Sequence, residues 1–130
     1  MTTYLLDADV LIALTVADHE HHARTSAWAA GITRFAVCPM VEAALVRVRE
    51  GAAVAQQVLS VVHALPGCEF WPDSISYAVS DLGRVRGHRQ VTDAYLVSLA
   101  TKRADATLAT LDDGLVQSHP ERTLLIPALR

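Results

Sequence analysis

Two cysteines in 130 residues, Cys38 and Cys68, are too few for a disulfide scaffold. They read as small apolar residues in a reducing compartment, so the expected location is cytoplasmic. No apolar run approaches the ~18 residues that a membrane-spanning helix needs, and no membrane partner is expected. The opening MTTYLLDADV lacks a basic cluster, and an acid interrupts its apolar stretch. It does not read as a secretory signal. Linker compositions, low-complexity tracts and internal repeats are missing. Charged residues are sparse at 19% while 52% of the chain is hydrophobic, a combination that excludes disorder. A chain of this length is expected to form one domain, over residues 1–130, with about two-thirds of its unfolded surface buried. The formal net charge is −3, which taken alone argues against a nucleic-acid partner.

Short apolar runs alternate with longer helical patterns, which predicts an α/β fold with a mostly parallel sheet of about five strands and helices on both sides. The predicted strands are Tyr4-Leu5-Leu6, Phe35-Ala36-Val37, Glu69-Phe70-Trp71, Thr107-Leu108-Ala109-Thr110 and Leu124-Leu125-Ile126. Helices are expected over Val10 to Leu14 and over His19 to Ala30. The second is capped by Asp18, has Ala23, Ala27 and Trp28 on its apolar side, and is ended by Gly31. Pro39 opens a third helix reaching about Glu50, and Gly51 separates it from a fourth that runs to about Ala64. Pro66-Gly67 reads as a turn. Ser74 or Ser76 is placed to cap a helix through Leu82, and Thr92 to cap one from Asp93 to Arg103.

The acids fall in a pattern. Asp7 and Asp9 directly follow the first strand, Glu42 lies in the first turn after the second, and Asp112 and Asp113 follow the fourth. Asp93 begins its helix. In an open parallel sheet the carboxyl ends of the strands form the ligand crevice, so these side chains converge on one region. Each has an ordinary explanation, as a helix cap, a dipole partner or a turn residue. Their neighbours argue for more. Asp7 sits between Leu5-Leu6 and Val10-Leu11. Asp93 shares a face with Leu96, Val97 and Ala100, and Glu42 with Leu45, Val46 and Arg49. Two charges about 5 Å apart at an effective dielectric near 20 repel by roughly 3 kcal/mol. Proton sharing, arginine pairing or a divalent cation would relieve that repulsion. An all-oxygen donor set suits Mg²⁺ or Mn²⁺ better than zinc. Such a cation serves phosphodiester chemistry.

The strings LLDADVLIAL at 5–14, PMVEAAL at 39–45, VTDAYLVSLA at 91–100 and LATLDDGL at 108–115 resemble, in this order and spacing, the PIN domain. More closely, they resemble the VapC ribonuclease toxins of bacterial toxin–antitoxin pairs. The resemblance implies a central parallel sheet between helices and a metal-dependent endoribonuclease acting on structured RNA, tRNA or ribosomal RNA. It implies products with a 5′-phosphate and a 3′-hydroxyl. It also implies Mg²⁺ or Mn²⁺ as cofactor, a VapB-type antitoxin as partner and a homodimer. Asp7, Glu42, Asp93 and Asp112 match the four family acids, and Thr110 the small hydroxyl residue two before the last. Asp7, Asp93 and Asp112 would hold the metal, and Glu42 would complete the cage or orient water. Asp9 stands where relatives often carry Asn, and is a further acid beside the ligands. Asp113 is the weaker candidate, since a turn explains it. The apolar helices Val10 to Leu14 and Ala53 to Leu65 correspond to surfaces that in this family bind the antitoxin tail and a second toxin copy.

The segment Gly83 to Gln90 carries Arg84, Arg86, His88 and Arg89 and leads into Asp93, as a loop that grips RNA phosphates beside a metal site would. Arg47 and Arg49 could extend that basic rim. His19, His21 and His22 read as exposed residues of a helix start, Trp28 and Trp71 as core or interface residues. Two other readings remain open. One is a small phosphatase of the haloacid dehalogenase type, from Asp7-Ala8-Asp9-Val10, which leaves Glu42 and Asp93 without a role. The other is an inactive PIN-like binding module, which would usually have lost an acid. With the four matched acids set aside, 11 basic residues face 10 acidic ones, so the negative net charge reflects the site and not the surface.

Overall fold

The computed structural model describes residues 1–49 and 51–129. Five strands form one sheet: β1 (Thr3–Leu6), β2 (Phe35–Val37), β3 (Cys68–Phe70), β4 (Ala106–Thr110) and β5 (Thr123–Leu125). Their order is β3-β2-β1-β4-β5, and every pairing is parallel. The helices are α1 (Ala8–Thr15), α2 (His22–Ala29), α3 (Pro39–Val48), α4 (Ala52–Ala64), α5 (Val91–Thr101) and α6 (Asp113–Ser118). Parallel strands need crossovers, and the helices provide them on both faces. The expected α/β architecture is observed, with the sheet wholly parallel.

The strand order decides where a site can form. From β1 the chain winds outward through β2 to β3, then returns to lay β4 on the other side of β1. The winding direction thus reverses between β1 and β4, whose carboxyl ends open the crevice of such a fold. The register pairs Leu6 with Ala109, so Asp7 and Thr110 emerge side by side.

Burial follows this frame. Leu5, Val10, Ala36, Val37, Leu45, Leu96 and Leu108 are wholly buried. Helix α5 is apolar on nearly every side, with Ala94, Tyr95, Leu96, Val97, Leu99 and Ala100 buried. This is the pattern of a helix enclosed by its own domain. The predicted face of Asp93 is thereby borne out, since Leu96, Val97 and Ala100 are all inside. Trp71 is a core residue, with Nε1 donating to Glu69 Oε1 at 3.2 Å and the Arg103 guanidinium 4.1 Å above its ring. Trp28 meets Tyr4 edge to face.

Several local expectations need correction. Helix α1 starts at Ala8, because Asp7 caps it; the expected start at Val10 is two residues late. Helix α2 starts at His22 and is not capped by Asp18. His19 and His21 lie in the preceding turn and His22 opens the helix; all three are half-buried, with His22 Nδ1 2.8 Å from the Ala13 carbonyl. Ala23 and Ala27 are exposed, while Thr25 takes the buried face. The expected end of the third helix, Glu50, lies outside the described residues. Ser76 caps only a short 3-10 turn, Tyr77–Val79, because the chain extends again at Ser80. Thr92 caps nothing: α5 continues from a 3-10 turn at His88–Gln90, so its first donors are already within helical structure. No helix among the described residues is long and apolar enough to cross a membrane.

The Pro66-Gly67 turn joins α4 to β3 by a close approach. Gly67 has φ +80°, and a Cβ there would lie 1.9 Å from the Thr33 carbonyl oxygen. The Phe35 amide also bonds to the Gly67 carbonyl at 3.0 Å, which sets the β2–β3 register. Gly67→Ala is therefore expected to destabilise the protein by about 2 kcal/mol or more. Gly87→Ala, where a Cβ meets nothing within 4 Å, should stay within about 0.5 kcal/mol. Denaturant midpoints of the two variants check this.

Candidate active site at the carboxyl edge of the sheet

Asp7 leaves β1 in extended conformation and caps α1, its Oδ1 accepting the Ala8 amide at 2.8 Å. The Thr110 hydroxyl, wholly buried at the end of β4, donates to Asp7 Oδ2 at 2.8 Å. The same hydroxyl oxygen accepts the Asp112 amide at 3.0 Å. One side chain thus ties the ends of both central strands to two acids. Asp112 caps α6, its Oδ1 accepting the Gly114 and Leu115 amides at 2.9 and 3.3 Å, which leaves Oδ2 uncommitted. Asp113 accepts from Gln117 along the exposed face of α6, an ordinary helix-surface role. Asp9, in the first turn of α1, is exposed at the rim.

The charges of this cluster act on one another. Asp7 is only 6% exposed, and burial raises its carboxyl above the usual range although Thr110 and Ala8 pull it down. Asp9 and Asp112 push it up further. Asp93 is raised to about 6, first by burial and then by Asp7, Asp112 and Asp9. The enclosed helix α5 is the source of that burial. Asp7, Asp9, Asp93 and Asp112 therefore form one electrostatic group. Among the described residues, no three His, Cys, Asp or Glu side chains are drawn close enough to grip a metal as they stand.

Glu42 is placed differently. It occupies the first turn of α3, but its Oε2 pairs with His63 Nε2 of α4 at 2.5 Å, and the His63 ring lies against Phe70. It does not figure among the charges that raise Asp93. The Glu42 side chain is 17% exposed, against 40% for His63.

The basic segment divides too. Arg84, expected on the RNA face, is committed within the protein: its Nη1 donates to the Ser118 carbonyl at 2.8 Å and to Glu121 at 2.9 Å, and lies 3.2 Å from His119 Nδ1. Arg89 and Gln90 border a cavity of about 280 Å³ together with Asp93, Asp112 and His119. Arg86 and His88 are exposed. Arg47 is exposed on α3, whereas Arg49 is half-buried, with no partner for its Nε among the described residues. His63 and His119 were not legible as site residues. Their partners lie 21 and 35 positions away, and no local spacing announces them.

The raised carboxyl of Asp93 has a thermodynamic sign. Its folded value, about 6, exceeds the unfolded 3.8, so its stabilising contribution is complete below about pH 4 and is lost as pH rises through 6. The full shift corresponds to at most about 3 kcal/mol, reduced by partial exposure. In chelator, Asp93→Asn is expected to melt higher than the wild type at pH 7.5 and to lose that advantage at pH 4.5. Calorimetric melts at both pH values measure the difference.

The PIN domain model matches residues 4–118. Ribonuclease VapC29 of Mycobacterium tuberculosis strain H37Rv is 52% identical over 130 residues, covering 96% of this chain and 97% of the relative. Ribonuclease VapC38 of the same strain is 38% identical, covering 90% and 92%. Among solved structures, VapBC2 from Rickettsia felis, bound to a DNA fragment from its promoter, aligns with a TM-score of 0.67. That alignment covers 97% of this chain and all of the other, at 16% identity, and speaks for the fold alone. With the acids of its four motifs at the carboxyl edge of such a sheet or on the adjoining helices, the chain belongs to the PIN-domain family and is of the VapC type.

Proposed function

We propose that this protein is the toxin of a type II toxin–antitoxin pair, an endoribonuclease that cleaves structured RNA, tRNA or ribosomal RNA, with Mg²⁺ or Mn²⁺. The observation that carries this reading is the group Asp7, Asp93 and Asp112: the Asp112 charge raises both Asp7 and Asp93, Asp7 raises Asp93 as well, and no cation pairs with them among the described residues. Such a donor set is all oxygen and anionic, and it fits a hard divalent cation. Asp7, Asp93 and Asp112 would hold the cation, with Asp9 at the rim as an additional acid. When bound, the cation supplies charge neutralisation and Lewis acidity at the phosphodiester.

The chain's own residues do the rest. Thr110 fixes the orientation of Asp7 and keeps one of its oxygens occupied as an acceptor. Asp93 surrenders its proton when positive charge arrives, since its value near 6 reflects repulsion and burial. Asp112 offers Oδ2 while its Oδ1 stays on the α6 amides. Glu42 is assigned the outer role of orienting water, on the far side of its pair with His63. Arg89 approaches substrate phosphates from the cavity wall, with Arg86 and His88 on the exposed loop beyond it. Hydrolysis would leave a 5′-phosphate and a 3′-hydroxyl.

A VapB-type antitoxin is the proposed inhibitor. An apolar groove of about 520 Å³ runs between α1 and α4, bordered by Leu11, Leu14, Val58, Val61, Val62 and Leu65. It joins the two helices that resemble antitoxin-binding surfaces, and Val61 and Leu65 are 63% and 47% exposed on its edge. An apolar segment of that antitoxin is proposed to fill it, and the toxin itself is proposed to be a homodimer.

Purified protein is expected to cleave RNA with Mg²⁺ or Mn²⁺ and to stop in EDTA. Asp7→Ala and Asp93→Ala should lose cleavage while retaining their circular dichroism spectra. Equal cleavage in EDTA would sink the reading. Thr110→Val, which removes the bridge but no ligand, should weaken metal affinity or activity by about 10–100-fold. Val61→Asp should prevent co-purification with the antitoxin while the variant still melts cooperatively. Retention of the complex would exclude the groove as its seat.

A further inference from the structure

Glu42 differs from the other three matched acids in what it touches. Helix α3 starts directly after β2, the strand beside β1, so its first turn lies at the same carboxyl edge as Asp7. Adjacent strands are only about 4.8 Å apart, so a glutamate at this place has a choice of neighbours. Its side chain turns from the aspartates. Oε2 meets His63 Nε2 of α4 at 2.5 Å. The Glu42 charge acts on Cys68 of β3, and does not figure among those that raise Asp7 or Asp93.

A carboxylate has only acceptors, so His63 Nε2 carries the hydrogen and donates it. The imidazole is itself held in place. It lies against the Phe70 ring, with centroids 5.7 Å apart and planes 34° from parallel. Phe70 is set in turn by the β2–β3 register, which pairs it with Val37 at the end of β2. Three elements, α3, α4 and β3, thus converge on one carboxylate. Asp7 and Asp112 are held differently: they accept from the Thr110 hydroxyl and from backbone amides next to them in the chain. Glu42 is the matched acid that a side chain of an outer helix tethers.

We propose that His63 is a positioning residue, which keeps Glu42 out of direct contact with the divalent cation and sets it at one remove, where it orients water. The cation is left to the three aspartates. Loss of the His63 donor frees Glu42 to join them as a fourth carboxylate. Metal binding then tightens, because an added anionic oxygen ligand raises affinity for a hard cation. The water loses its orienting acid in the same move. This inference rests on the ribonuclease reading and deepens the role given there to Glu42.

The test is calorimetric titration of the full chain with Mn²⁺ at constant pH, with RNA cleavage measured alongside. His63→Phe removes the donor and keeps a ring against Phe70; it should bind Mn²⁺ about fivefold more tightly than the wild type. Adding Glu42→Gln to that variant should restore the wild-type affinity, while Glu42→Gln alone should change it by less than about threefold. His63→Gln, which restores an N–H donor, should stay within about twofold of the wild type. In cleavage, His63→Phe should lower kcat about tenfold and leave KM within about twofold. Unchanged Mn²⁺ affinity in His63→Phe, or a gain that Glu42→Gln does not reverse, would overturn the proposal. So would a loss of more than about tenfold in Glu42→Gln alone, which would make Glu42 a direct ligand despite His63. If the wild type cleaves RNA and these affinities ignore His63, the tether alone fails. If the affinities respond and no RNA is cleaved, the ribonuclease reading fails and the tether stands. Absence of Mn²⁺ binding by every variant overturns both.

Discussion

The Thr110 hydroxyl is the contact on which the site depends. It donates to the buried Asp7 carboxylate and accepts the Asp112 amide, across the point where the sheet reverses its winding. A carboxylate as enclosed as Asp7 needs partners, and without them its burial would cost several kcal/mol. Two hydrogen bonds offset part of that cost and leave the rest as a raised proton affinity. The fold thus holds a charge at its centre that it only partly stabilises. The β1–β4 register makes this possible by bringing Asp7 and Thr110 out side by side.

From that residual charge the rest of the edge follows. Helix α5 is enclosed by apolar packing, so Asp93 at its start is desolvated as well as repelled by Asp7 and Asp112. The tension among these acids is lowest when they are protonated or when a cation joins them, and the proposed function calls for the second. Opposite the acids the cavity is lined by Arg84, Arg89, Gln90 and His119, with the Gln90 carbonyl oxygen taken up by the Arg86 amide. Acceptors on one side and donors on the other suit a ligand that brings both a cation and phosphates. The chain's negative net charge is therefore compatible with RNA, because part of it belongs to the site.

Much of the fold was legible because its signals are local. The strand-forming runs, the Pro39 helix start and the Pro66-Gly67 turn each depend on a few consecutive residues, and each is observed, with the third and fifth strands ending one residue before the expected Trp71 and Ile126. The acids at strand ends could be placed for the same reason. Caps were less legible: Asp18 and Thr92 are good capping residues, yet a histidine turn and a 3-10 turn occupy the places where they would act. Side-chain pairing across elements left no trace in the sequence. Glu42 shares a helical face with Leu45, but only the packing of α3 against α4 brings His63 to its carboxylate. Arg84 sits in a basic run that reads as free, and only the return of the chain after α6 gives it Ser118, His119 and Glu121.

Asp7, Asp93 and Asp112 are proposed to form one site whose mutual repulsion a divalent cation relieves. Calorimetric titration of Mg²⁺ at pH 6, in two buffers of different ionisation enthalpy, tests it most directly. With Asp93 near 6, that carboxyl alone should release on the order of half a proton per site, and Asp93→Asn should lower the release by that amount. Mg²⁺ binding without proton release from the wild type, or no binding at all, would contradict the account.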